Sequence, residues 1–158
     1  MDLDWNDIVN TALGAVAGSA VTLALAYVEF RARDRSEFNA AISRLLEALN
    51  GWYVAEAGMA YDARSDVAKH ARLASHAQAL SVASEVVGVA EAKAKADVEA
   101  FELVLRAVNY PPAMGDQARL MRAFKVSRAV TDWRAGAIDT TGLCDAIRGL
   151  LGEVAAAV

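Results

Sequence analysis

At 158 residues the chain has room for one anchor and one modest domain. Its formal net charge of −4 and pI near 5.2 exclude a global basic field for holding nucleic acid. Cys144 is the single cysteine, which excludes an intrachain disulfide and a cysteine-rich metal site. Hydrophobic residues reach 56%, above the usual share of about 45–50%, and the excess is mostly alanine. Twelve of the sixteen basic residues are arginine, the amino-acid bias of a GC-rich genome, bacterial or phage.

The first element is apolar. From Ile8 to Val28 no residue is charged, and 21 residues of helix span about 31 Å, close to the ~30 Å hydrocarbon layer of a bilayer. Trp5 stands before the run, and Tyr27 and Phe30 stand at its end, where aromatic side chains favour the interfaces. Asp2, Asp4 and Asp7 precede it; Arg31, Arg33 and Arg35 follow it. By the positive-inside rule the N-terminus lies outside and the C-terminal domain in the cytoplasm, at the inner membrane.

Two other readings of this run compete. A cleaved signal peptide fits the small triplet Ala24-Leu25-Ala26 but needs a basic leader, and this one is acidic. A buried helix of a soluble bundle fits the polar interruptions at Asn10, Thr11, Ser19 and Thr22. Gly14 and Gly18 form a GxxxG pair that Thr22 and Ala26 extend, a small-residue ridge on which membrane helices pack closely.

Beyond the run, Asp34 and Glu37 have capping-box spacing, so either a new helix begins there or one helix runs straight through. Phe38, Ile42, Leu45, Leu49 and Trp52 then recur at alternating spacings of four and three, a bundle or coiled-coil seam. Asn50-Gly51 and Gly58 interrupt it and mark a bend or turn. Asp62 and Ser65 are candidate caps for the next helix. Its seam runs through Leu73, Ala77, Leu80, Ser84, Val87, Glu91, Ala94, Val98, Phe101, Leu105 and Val108, over forty residues if unbroken.

Asn109-Tyr110-Pro111-Pro112 ends that helix, because proline lacks the N–H and disfavours helix in the residue before it. Two shorter helices follow, one from Asp116 to Arg134 closed by Gly136, the other from Thr141 to Val158. Leu143, Ile147, Leu150, Leu151 and Val154 form its inner side. No strand alternation occurs, so the expected fold is all-α: a transmembrane helix followed by long helices in a bundle or coiled-coil-like domain. The divisions are an anchor at 1–30, a long-helix region at 31–110 and a helical pair at 111–158 after the proline hinge.

The chemistry is sparse. His70 and His76 are six residues apart and fall on different sides of one helix. Asp62, Asp66 and His70 share a face at helical spacing, which reads as a solvated stripe rather than a metal site. Glu99 and Glu102 read as solvation, and Cys144 as a small core residue. No catalytic residue, cofactor or small-molecule substrate is indicated. Arg119, Arg122, Lys125, Arg128 and Arg134 make one helix basic. Its apolar residues fall on two sides, Leu120, Met121 and Phe124 against Val126, Val130 and Trp133, a pattern for packing between neighbours.

These features point to a non-enzymatic single-pass membrane protein presenting a helical oligomerisation or interaction domain. Its partners would be the lipid bilayer and a second copy or a helical protein, as in an accessory subunit of a membrane complex. The alternative is a phage-related membrane role, lysis or superinfection exclusion. The layout of anchor and helical rod resembles inner-membrane spanins in architecture alone. Spanins place the rod outside the cytoplasm, and the three arginines after the run oppose that.

Overall fold

The computed structural model describes residues 5–109 and 115–155, with side chains for 33–109 and 115–152. All the described elements are helical: α1 (Trp5–Tyr61), α2 (Asp66–Lys93), a 3-10 turn (Lys95–Asp97), α3 (Val98–Val108), α4 (Asp116–Arg134) and α5 (Thr140–Ala155). The chain divides into two compact units, Met1–Ser36 and Glu37–Val158.

Among the described residues, no helix is long and apolar enough to cross a membrane. The run from Ile8 to Val28 lies outside the described side chains. So do the ridge Gly14, Gly18, Thr22 and Ala26 and the flanking Trp5, Tyr27, Phe30 and Arg31. Arg33 and Arg35 are exposed.

Helix α1 is continuous across two places where the sequence offered a boundary. No break follows the Asp34–Glu37 spacing, since extending a helix costs less than nucleating a new one. Nor does α1 end at Asn50-Gly51 or Gly58. Both glycines are exposed, while Leu49, Trp52 and Met59 beside them are buried. Burying one large apolar side chain is worth about 1.5–3 kcal/mol, more than the ~1 kcal/mol a helical glycine costs.

The long second helix is broken, contrary to its unbroken pattern. Ser65 caps α2, accepting from the Ala68 N–H at 3.3 Å. Ala94 (φ −142°, ψ 56°) leaves the helical region, and after the 3-10 turn α3 packs back against α2. The inner face of α2 also differs: Ala79, Ala83, Val86 and Ala90 are buried, one residue ahead of Leu80, Ser84, Val87 and Glu91. One residue rotates a helix by about 100°. That turn keeps Glu91 in water, where an unpaired carboxylate costs nothing to solvate. Leu80 and Val87 flank the core half-buried, and Leu73 is 63% exposed.

One core joins the helices of the second unit. Ile42, Leu45, Leu49, Val86, Phe101, Val104, Val108, Val126, Val130, Leu143 and Ile147 are fully buried, and Phe38, Val98 and Leu105 pack against them. Phe38, Phe101 and Trp133 meet edge to face, with centroids 5.2 to 6.4 Å apart. Such pairs add about 0.5–1.5 kcal/mol beyond their burial. Arg44–Glu85 at 2.5 Å, Lys93–Glu37 at 3.4 Å and Arg72–Asp116 at 3.2 Å tie helices together at the surface.

Candidate functional site

The turn between α4 and α5 is built by Gly136. Its φ of +74° is the one positive φ among the described residues. Gly136 N–H donates to Trp133 O at 3.0 Å and Ala137 N–H to Asp132 O at 2.8 Å, the paired bonds of a Schellman motif. Asp139 then caps α5, its Oδ1 accepting from Gly142 N–H at 2.8 Å. A side chain at Gly142 would stand 3.1 Å from Ile138 Cβ, so the first turn of α5 lies close over Ile138.

Past this close start the two helices leave a groove of about 430 Å³. Its apolar lining is Ala129, Ile138, Ala146 and Leu150, with Gly142 and Gly149 supplying no side chain to fill it. A Cβ at Gly149 would meet nothing within 4 Å. The lining also carries Lys125, Arg128 and Asp132 from α4 and Asp145 from α5. Arg128 lies 3.5 Å from Asp132 along α4, and Asp145 lies 3.3 Å from Arg148 along α5. The two sides of α4 separate as well: Val126 and Val130 are buried, while Met121 (45%) and Phe124 (39%) stay exposed. Arg122 is buried with them rather than joining the basic surface.

Reactive groups are scattered. His70 Nδ1 donates to the Asp66 carbonyl at 2.7 Å, within its own helix. His76 Nε2 donates to the Val108 carbonyl at 2.8 Å and its ring lies against Trp52 at 5.5 Å. Among the described residues no three His, Cys, Asp or Glu side chains gather as metal ligands. Cys144 is buried, which pushes its thiol above the ordinary value; Glu99 raises it further, and Arg148 opposes them. Glu99 accepts from Arg148, and Glu102 is exposed. A neutral buried thiol is a poor nucleophile.

A second charged residue of the core, besides Arg122, was not foreseen. Glu56 is 3% exposed; its Oε1 accepts from Trp52 Nε1 at 3.1 Å, and among the described residues its Oε2 makes no hydrogen bond. Continuing the first seam by its own spacing, Leu45, Leu49, Trp52, Glu56, Met59, would have placed it inside. What the geometry offers is therefore a surface for packing, lined by small residues and by charges of both signs. The chain matches no known family, no curated protein and no solved structure, so its function is read from its own residues.

Proposed function

We propose that the chain is a non-enzymatic single-pass membrane protein that presents its helical unit at the cytoplasmic face of the inner membrane, for assembly with a second copy or a helical partner. The observation that carries this reading is the uncharged run from Ile8 to Val28, set between Asp2, Asp4 and Asp7 and Arg31, Arg33 and Arg35. The Gly14–Gly18–Thr22–Ala26 ridge supplies a packing face within the bilayer. The open groove between α4 and α5 supplies another outside it. As an accessory subunit of a membrane complex the chain would use the same two faces.

The test is topological. Cys144 is buried and reports poorly, so the probe cysteine goes at exposed Ala137 in a Cys144→Ala background. Membrane-impermeant maleimide should label Ala137→Cys only after cells are permeabilised, and the protein should stay in the pellet after alkaline carbonate extraction. Labelling in intact cells would overturn the orientation and move an envelope role forward. Release by carbonate would overturn the anchor.

A further inference from the structure

The α4–α5 groove carries charges in an order that suits a copy of itself. Met121, Lys125, Arg128 and Asp132 follow one another at spacings of four, three and four, so they share one face of α4. Asp132 stands beside the α4–α5 turn, and Lys125 lies two helical turns, roughly 10 Å, further along. Along α4 the groove lining thus runs from Asp132, ion-paired with Arg128, at the turn end to Lys125 at the other, and α5 adds Asp145.

We infer that this groove is a two-fold, antiparallel interface between two copies of the chain, an inference that rests on the homo-oligomeric form of the function proposed above. In an isologous contact every residue pair occurs twice, so a surface must be complementary to itself. An axis across the middle of the groove reverses its direction. Lys125 of one copy then faces Asp132 of the second, and Arg128 is within reach of Asp145. Near that axis stands Ala146, exposed and small, between Gly142 and Gly149, so two α5 helices can approach closely. Met121, exposed one turn beyond Lys125, continues that α4 face and gives the contact apolar area it would otherwise lack. A nucleic acid would need one sign of charge along the groove, and this one has two.

The experiment uses the full-length protein in its native membranes. In a Cys144→Ala background, Ala146→Cys should form disulfide-linked dimers under mild oxidation, because only a residue near a two-fold axis meets its own counterpart at bonding distance. Ser81→Cys, exposed on α2, should give few. Adding Lys125→Glu with Arg128→Glu should cut the Ala146→Cys yield roughly tenfold. Adding Asp132→Lys with Asp145→Lys to those two should restore it. If Ala146→Cys links no faster than Ser81→Cys while amine cross-linking still gives ladders of this chain, the interface lies elsewhere and the inference fails, although self-association stands. If amine cross-linking shows only single chains, both fail.

Discussion

The Thr140 hydroxyl donates to Asp97 Oδ1 at 2.6 Å, joining the first residue of α5 to the 3-10 turn between α2 and α3. Thr140 also accepts the Trp133 indole N–H at 3.3 Å, so one side chain holds three segments of the second unit. Removing the hydroxyl leaves both partners short of a bond in a half-buried place. Thr140→Val should lower unfolding stability by about 1–3 kcal/mol in urea titrations. Asp97→Ala added to it should cost less than the two changes summed, since they share the bond.

The rotated face of α2 predicts unequal costs along the pattern read in the sequence. Phe101→Ala should cost about 3–5 kcal/mol, because Phe101 is 1% exposed and meets both Phe38 and Trp133. Leu73→Ala, at 63% exposure, should change stability by about 0.5 kcal/mol or less. Ala83→Leu should destabilise by about 1–3 kcal/mol through overpacking. An Ala83→Leu chain as stable as the parent would contradict the rotation.

Two glycines should respond in opposite directions. Gly136→Ala forces an L side chain into φ +74° and should cost about 1–2 kcal/mol. Gly51→Ala adds a methyl that meets nothing within 4 Å on an exposed helical face, and should gain up to about 1 kcal/mol. Thermal melts of the two variants beside the parent chain check both signs.

Burial raises the Cys144 thiol, so the folded chain holds this proton at pH values where the unfolded chain has released it. The stabilising contribution is complete below the ordinary thiol value of 9.0 and is lost as pH rises past it. Stability should therefore fall with pH in that alkaline range, and the fall should flatten in Cys144→Ala. Alkylation of native protein at neutral pH should be far slower than after denaturation.

Much of the architecture is legible in local chemistry. Helix α4 begins at Asp116 and stops before Gly136, because a residue of left-handed conformation closes it there. Ser65 announces α2 by the oxygen it offers to an early N–H. Less legible is the break at Ala94, which falls in Ala94-Lys95-Ala96-Asp97 with neither glycine nor proline to mark it. There the helix yields to tertiary packing of α3, which no local spacing records. The inner face of α2 was ambiguous for a similar reason: two neighbouring stripes have the same alternation, and only the charge on Glu91 separates them. The groove depends on how far α5 stands from α4, so its glycines read as mere composition until the neighbours are in place.

The first half of α2 has a distinct thermodynamic character. Its earliest fully buried side chain is Ala79, and before that it is held by Arg72 to Asp116, by His76 to the Val108 carbonyl and by the Trp52–His76 ring contact. The Arg72–Asp116 ion pair weakens in salt, and such ties resist opening less than apolar burial does. Amide hydrogens of residues 69–78 should thus exchange well before those of 79–93, and faster still at high ionic strength. The protein would then keep its core intact while this segment opens and closes, a local equilibrium in which the α2 amides report the two halves of one helix as separate cooperative units.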